Sequence, residues 1–171
     1  MNIYSKKGDN GETSNLTGER VSKNDVVIHF EGTADELSSH LGLVKAMLSD
    51  EETRKFIEGI QIKLVKLMAH VSDSANGKYF FTEEEVNVLE TEIDRLSEKI
   101  HEWSQFVLPG KNVTEAQIHI ARTVARRAER VFTAVNEKKP LCPKAASYLN
   151  RLSDYLFVLS QTVQTVIIEV L

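Results

Sequence analysis

Residues 82–100 read T-E-E-E-V-N-V-L-E-T-E-I-D-R-L-S-E-K-I, and this stretch decides the fold class. Thr82 and Glu85 have the spacing of a capping box, which predicts the start of a helix. The apolar side chains that follow alternate by three and four residues, which places them on one face of a helix. They are Val86, Leu89, Ile93, Leu96, Ile100 and Trp103.

Helices are also predicted on both sides of this stretch. Thr33 and Glu36 form a second capping box, which opens a helix that runs to about Leu48, and the next helix runs from about residue 51 to residue 71. A last helix carries the apolar stripe Leu149, Leu152, Leu156, Leu159 and Val163. Turn formers separate the helices at Asn76-Gly77, Pro109-Gly110, Pro140 and Pro143.

Residues 119–130 read H-I-A-R-T-V-A-R-R-A-E-R and lie in a further predicted helix, which a capping box at Thr114 and Gln117 opens. Helical spacing puts one set of side chains on a single face: His119, Arg122, Arg126 and Glu129 or Arg130. The opposite face is a predicted buried stripe of Ile118, Ala121, Ala125, Ala128, Phe132 and Val135.

Two interpretations of the arginine face stay open on these residues alone. Arginine forks on a rigid helix match the geometry of phosphate oxygens, which indicates a polyphosphate site. The alternative is a solvated helix face with support from Glu129, because most charge runs are solvated.

Residues 1–32 are predicted to be a loop, because they are rich in Gly, Ser, Thr, Asn and Asp, with a short extended piece over Val26–Phe30. Within it, residues 5–16 read S-K-K-G-D-N-G-E-T-S-N-L. Glycines let backbone amides converge on an anion and lysines add positive charge, although the spacing is not that of a Walker loop. The alternative is an N-terminus that is simply mobile.

Two other segments are candidates for the site. Residues 106–110 read F-V-L-P-G and place Phe106 at a chain reversal, either as part of a site or as a hydrophobic anchor for the turn. Asn150, Asp154 and Phe157 share a helix face, and the two polar residues serve either a site or a hydrogen bond between helices.

Composition predicts one domain, with a loop over 1–32 and a helical bundle over 33–171. A net charge of −4 argues against a nucleic-acid partner. There is no apolar run long enough for a membrane span and no apolar signal segment, so we expect a cytoplasmic protein, or a mitochondrial matrix protein if a presequence has been removed.

The single Cys142 excludes an intramolecular disulfide. The apolar C-terminal end favours oligomerisation.

Six blocks of this sequence together resemble the PduO type of ATP:cob(I)alamin adenosyltransferase. They occur in the family's order and spacing from about residue 3 to residue 160, and six blocks in register make a specific match. The blocks are Y-S-K-K-G-D-N-G-E-T-S, G-E-R-V-S-K-N-D, G-T-A-D-E-L-S-S-H-L-G, F-V-L-P-G, A-R-T-V-A-R-R-A-E-R and Y-L-N-R-L-S-D-Y-L-F.

The resemblance implies an all-α fold: a homotrimer of five-helix up-and-down bundles, with active sites between subunits. ATP binds with Mg²⁺ on its triphosphate, cobalamin is the second substrate, and the protein itself holds no metal. By motif position, the nucleotide loop comprises Ser5, Lys6, Gly8, Asp9, Gly11, Ser14 and Lys23. The matching helical ATP contacts are Arg126, Glu129 and Asn150.

Besides Arg126, three residues match the family's catalytic machinery. Asp35 and Arg122 match a salt bridge that crosses the subunit interface beside the site, and Phe106 matches an aromatic that closes the lower face of the corrin. The implied partners are a Co(II) reductase and an adenosylcobalamin-dependent enzyme, with no nucleic acid and no membrane.

The implied reaction agrees with the residue types present. Cobalt(I) attacks the ribose C5′ of ATP and triphosphate leaves, so the protein's main electrostatic task is to stabilise the charge of the leaving group. No general base is needed, because this nucleophile carries no proton. An apolar Phe106 under the corrin would exclude the lower ligand and make cobalt easier to reduce.

The sequence departs from the family pattern at a few positions, which are His29, Glu31, Lys111, Gln161 and the tail after about Thr162. The short tail motivates an alternative function, a non-catalytic carrier or sensor that binds ATP or cobalamin. A ferritin-like metal bundle is a remote third reading, because Glu98-x-x-His101 is the only motif of its kind. His40, His70 and His119 are interpreted as surface or interface histidines.

Overall fold

A computed structural model describes Tyr4, residues 6–100 and residues 107–163. It contains a five-helix bundle preceded by a small hairpin, so the predicted helical bundle is confirmed. The helices are α1 (Val26–Met47), α2 (Glu51–Ser72), α3 (Glu83–Ser97), α4 (Val113–Lys138) and α5 (Pro143–Thr162). The strands are β1 (Glu12–Ser14) and β2 (Arg20–Ser22), and a 3₁₀ turn covers Gly77–Tyr79.

Helix α4 lies in the middle of the bundle. It packs against α1 on one side and α5 on the other, while α2 packs on α1 and α3 packs on α5. The predicted apolar stripe of α4 is buried in full, and its Phe132 ring meets Phe30 of α1 edge-on with centroids 5.6 Å apart. Three alanines in that stripe let α1 and α5 approach α4 closely.

Helix α1 begins earlier than the sequence predicted. Asp25 is the N-cap, and its carboxylate accepts the Val27 N–H at 2.8 Å. Thr33 lies inside the helix, where its hydroxyl donates to the His29 carbonyl at 2.7 Å. The predicted capping box at Thr33 and the extended piece over 26–30 are therefore wrong. The buried positions of α1 extend back to Phe30, so core packing selects the earlier start.

Helix α3 begins where the sequence predicted and ends sooner. The Thr82 N–H donates to the Glu85 carboxylate at 2.8 Å, which confirms this capping box. The helix ends at Ser97, so the predicted continuation to Ile100 is wrong, and Trp103 lies outside the described residues.

Helix α4 also has a different cap from the predicted one. The Asn112 side chain accepts the Glu115 N–H at 2.9 Å, so Thr114 and Gln117 lie within the helix and form no capping box. Asparagine with a free side-chain oxygen competes well with threonine at an N-cap, and Asn112 follows directly after the turn. The start of α4 is thereby fixed close to Gly110, whose φ of +120° suits glycine.

The predicted N-terminal loop contains an antiparallel hairpin in which Thr13 lies opposite Val21. The Asn15 side chain organises the turn by accepting the Glu19 N–H at 2.9 Å. The Leu16 N–H donates to the Ser72 hydroxyl at 3.0 Å, which joins the hairpin turn to the end of α2. Strands of three residues contain too few alternating polar and apolar side chains to be predicted from the sequence.

The two candidate starts of α1 make a direct stability test. We expect Asp25→Ala to lower the free energy of unfolding by about 1 kcal/mol, because the Val27 N–H loses its cap. Thr33→Ala should change it by less than about 0.5 kcal/mol, because alanine is a good helix former at an interior position. Urea unfolding of both variants would measure this, and a larger loss for Thr33→Ala would contradict the cap at Asp25.

Candidate active site

Two arginines lie one turn apart on α4 and face away from its buried stripe. Arg122 is half-buried and Arg126 is exposed. Burial lowers the pKa of Arg122, and the positive charge of Arg126 lowers it further. Within the described residues, neither arginine forms an ion pair. Two guanidinium groups this close without a counter-charge are stabilised by an anion, so the geometry supports the phosphate-site interpretation over the solvated face.

A polar contact between α4 and α5 borders these arginines. The Asn150 side chain on α5 donates to the Glu129 carboxylate on α4 at 2.9 Å. Glu129 comes one turn after Arg126, so the sequence-predicted ATP contacts Arg126, Glu129 and Asn150 form one surface cluster. Asn150 thus makes the hydrogen bond between helices that the sequence offered as its alternative role. Asp154 instead accepts from Arg151 at 2.6 Å.

The N-terminal loop brings its predicted residues together around two glycines. The Lys23 N–H donates to the Gly11 carbonyl at 2.8 Å, and Gly11 has a φ of +84°. A Cβ atom on Gly8 would lie 3.3 Å from the Lys23 ammonium, so glycine at this position lets that charge approach the backbone. Lys6 adopts the left-handed conformation with a φ of 60°. The loop therefore presents ammonium groups beside closely turned backbone, as an anion site requires.

Arg20 is a residue that sequence reasoning missed in this loop. Its guanidinium donates to the Lys7 carbonyl at 2.8 Å and pairs with Glu12 at 3.4 Å. It also donates to the Ser14 hydroxyl at 3.5 Å. Arg20 thus holds the loop against the hairpin. The sequence carried no signal for it, since a basic residue in a polar loop has no distinctive spacing.

Glu31 and Ser72 anchor the hairpin to the bundle. The Ser72 hydroxyl accepts the Leu16 N–H and hydrogen-bonds the Glu31 carboxylate. Burial raises the pKa of Glu31, while the Ser72 hydrogen bond and the charge of Lys139 oppose that rise. Glu31 is one of the departures from the family pattern noted above, and the structure gives it this partner.

The remaining predicted site residues lie apart from these contacts. Ser5 and Phe106 lie outside the described residues. Asp35 is exposed on α1 and forms no ion pair within the described part of the chain. Asp9 is exposed in the loop, where its N–H donates to the Lys6 carbonyl at 3.5 Å. No described hydrogen bond or ion pair joins Lys6 or Lys23 to the arginine cluster.

Two histidines are buried within the chain, which corrects their interpretation as surface or interface residues. His70 accepts the Cys142 N–H at 2.9 Å. His119 lies 3.2 Å from the Glu115 carboxylate, and both side chains are almost fully buried. Both histidines occupy positions next to apolar stripe residues, so their burial follows from helical register rather than from residue type.

The described residues contain neither a cluster of metal ligands nor a membrane-spanning helix. No group of three or more His, Cys, Asp or Glu side chains there could hold a metal ion. Among the same residues, no helix combines the length and the apolar character needed to cross a bilayer. The fold and the geometry together define a helical-bundle protein with a cationic candidate site.

Comparison with known proteins identifies the family. The family model described as Cobalamin adenosyltransferase matches residues 3–163. A corrinoid adenosyltransferase from Citrobacter freundii is 38% identical over 167 residues, which cover 95% of each chain. The corrinoid adenosyltransferase PduO from Salmonella typhimurium is 38% identical over 169 residues, which cover 94% of this chain and 49% of that protein.

A solved structure agrees with these relatives. A variant of the PduO-type ATP:corrinoid adenosyltransferase from Lactobacillus reuteri, complexed with cobalamin and ATP, superposes with a TM-score of 0.87 at 28% identity and covers 94% of this chain and 92% of that one. The chain therefore belongs to the cobalamin adenosyltransferase family. These relatives are named as transferases rather than as carriers or sensors, and the chain spans about half the length of the Salmonella protein.

The anchor at Ser72 can be tested by hydrogen exchange. We expect Ser72→Ala to speed exchange of the Leu16 amide and its hairpin neighbours by about fivefold, because one hydrogen bond worth about 1 kcal/mol is lost. Ser74→Ala is the matched control, since Ser74 lines the same cavity. Equal exchange in both variants would contradict the anchoring role of Ser72.

Proposed function

We propose that this protein transfers the 5′-deoxyadenosyl group of ATP to the cobalt of cob(I)alamin, giving adenosylcobalamin and triphosphate. The observation that carries the proposal is the pair Arg122 and Arg126, two adjacent cations with no counter-charge in the described chain. The ATP and cobalamin bound to the related structure from Lactobacillus reuteri support the choice of substrates.

The triphosphate of ATP is the anion that the arginines and the N-terminal loop accept. Arg126 contacts the phosphates from α4, while Lys6 and Lys23 contact them from the loop. Glu129 and Asn150 bind polar groups of the nucleotide beside them. Mg²⁺ arrives on the phosphates and neutralises part of their charge, so it needs no carboxylate cluster in the protein.

The reaction needs charge stabilisation rather than proton transfer. Cobalt(I) supplies both electrons of the new Co–C5′ bond, and the C5′–O bond breaks with its electron pair going to triphosphate. The leaving group gains charge as it departs, so arginine and lysine contacts strengthen toward the transition state. Phe106 covers the lower face of the corrin and keeps cobalt free of a lower ligand.

Each active site is shared between two subunits of a homotrimer. The loop and the arginine cluster form no described contact in one chain, so the loop of one subunit meets the cluster of the next. Asp35 and Arg122 form no ion pair within the described chain, and their pairing across the interface supplies each with an opposite charge. Leu43 and Ile120 are exposed apolar side chains on α1 and α4, the helices that carry this pair, and are suited to the same interface.

The protein works in the cytoplasm, or in the mitochondrial matrix if the source is eukaryotic. Its reaction consumes Co(I), so a Co(II) reductase must supply that state, and an adenosylcobalamin-dependent enzyme uses the product. The loop over 1–32 and the bundle over 33–171 act as one domain, with α1 crossing the boundary between them.

Arg126→Ala tests the function directly. In an anaerobic assay with chemically reduced cobalamin and MgATP, we expect wild-type protein to form the Co–C bond, followed by absorbance. The variant should lose about 10²-fold or more in kcat, because a charge-assisted phosphate contact contributes roughly 3 kcal/mol to transition-state stabilisation. Arg54→Ala, which removes an exposed arginine paired with Glu51 on α2, is the control and should retain activity. Wild-type protein without activity would refute the function, and an active Arg126→Ala would remove this residue from the site.

Asp35→Asn and Arg122→Ala test the shared site. Each should lower activity, and the double variant should lose less than the sum of the two free-energy effects, because both changes break one pair. Sedimentation should give a trimer for the wild-type chain. A fully active monomer would contradict both the ion pair and the shared site.

A further inference from the structure

The first turns of α4 contain a buried glutamate–histidine pair that the proposed chemistry does not use. Glu115 is 1% exposed and His119 is 3% exposed, and they lie one helical turn apart. A carboxylate held this deeply is costly unless its oxygens are all supplied with donors. The groups that contact this pair therefore indicate the role of the Glu115 carboxylate.

One oxygen of Glu115 holds the loop that precedes α4. Its Oε2 accepts the Gly110 N–H at 2.8 Å and the Lys111 N–H at 3.1 Å. That loop follows Phe106 directly in the chain, and Gly110 has a positive φ that makes the reversal possible. The position of the loop over 107–111 therefore depends on the Glu115 side chain.

The other oxygen of Glu115 faces His119. Glu115 Oε1 lies 3.2 Å from His119 Nε2, in electrostatic contact but without hydrogen-bond geometry, and neither atom has a hydrogen-bond partner within the described residues. On the far side of the ring, His119 Nδ1 accepts from Arg122 Nε at 3.2 Å. Glu115 and His119 thus connect the loop to the arginine that borders the nucleotide site.

These contacts define one tautomer of the histidine. Nδ1 accepts from an arginine, so the ring proton must be on Nε2, where it faces the carboxylate. Burial lowers the pKa of His119 and the Arg122 charge lowers it further, which outweighs the opposite effect of Glu115 and keeps the ring neutral near pH 7. The Glu115 carboxylate therefore selects the tautomer that can hold Arg122.

We propose that Glu115 and His119 are positioning residues that couple the loop over 107–111 to Arg122, so that the corrin side and the nucleotide side of the active site are set together. The inference rests on the proposed function, since that function places Phe106 and Arg122 on the two sides. Both residues act through others and touch neither substrate. If the loop over 107–111 moved, the Glu115 and His119 side chains would move with it and shift the Arg122 guanidinium.

Glu115→Gln separates this role from a merely structural one. The amide oxygen of glutamine can still accept both loop N–H groups, while its NH₂ group then faces His119 and favours the tautomer with the proton on Nδ1. That proton would oppose the Arg122 N–H, so Arg122 loses its acceptor. We expect kcat with chemically reduced cob(I)alamin to fall about tenfold, the loss that one charge-assisted hydrogen bond predicts.

A double-variant cycle tests the route through Arg122. Arg122→Lys keeps a cation but lacks the Nε atom that bonds His119, so Glu115→Gln should cause less than a twofold further loss of kcat in that background. Glu137→Gln makes the same chemical change at an exposed position of α4 and should leave kcat and the melting temperature unchanged. The proposal would be overturned if the losses of kcat from Glu115→Gln and Arg122→Lys added in full in the double variant. It would also be overturned if Glu115→Gln lowered the melting temperature and left kcat normal.

The histidine tautomer can be read in the wild-type protein without any variant. ¹⁵N NMR of histidine-labelled protein near pH 7 should show His119 neutral, with its proton on Nε2, and Glu115→Gln should move that proton to Nδ1. A charged ring or the Nδ1–H tautomer in the wild type would overturn the proposal. Absence of activity in the wild type would instead refute the proposed function, because the tautomer measurement does not depend on turnover.

Discussion

Two like charges on one rigid helix are the constraint on which the rest of the structure depends. Arg122 and Arg126 are held one turn apart on α4, where the backbone gives them little freedom to separate. The opposite side of the same helix is buried between α1 and α5, so α4 keeps both arginines on the same side of the bundle. The packing of the bundle thus holds two adjacent cations in place, as the proposed binding of triphosphate requires.

Local signals in the sequence predicted most of the bundle. The α3 capping box is contained within four residues, and the structure reproduces it. The starts of α1 and α4 were predicted wrongly because each helix begins at a cap that precedes the capping box predicted from the sequence. Asp25 and Asn112 take the caps because burial of Phe30 in α1 and the turn at Gly110 before α4 select the earlier starts. Tertiary packing decided between local alternatives that the sequence leaves nearly equal.

The sequence proposes the residues of the candidate site but not the hydrogen bonds that connect them. Motif matches supplied Lys23, Arg126 and Asn150, and helical spacing alone put the arginines on one face. The hydrogen bonds from Leu16 to Ser72 and from Gly110 to Glu115 leave no periodic trace, because each joins a backbone N–H to a side chain that could serve many roles. The burial of His119 was missed for a related reason: it stands at the border between the polar face and the apolar stripe of α4, where spacing is ambiguous.

The spatial order of the helices differs from their order in the chain, and this affects how the protein is made. As the chain leaves the ribosome, α1 and α2 can pair early, but α3 packs on α5, the last helix to be synthesised. Until residues 113–162 emerge, the side of α1 that packs on α4 and the face of α3 that packs on α5 have no partner. The nascent chain therefore exposes two separate hydrophobic surfaces through most of its synthesis, and only the arrival of α4 and α5 joins them into one core.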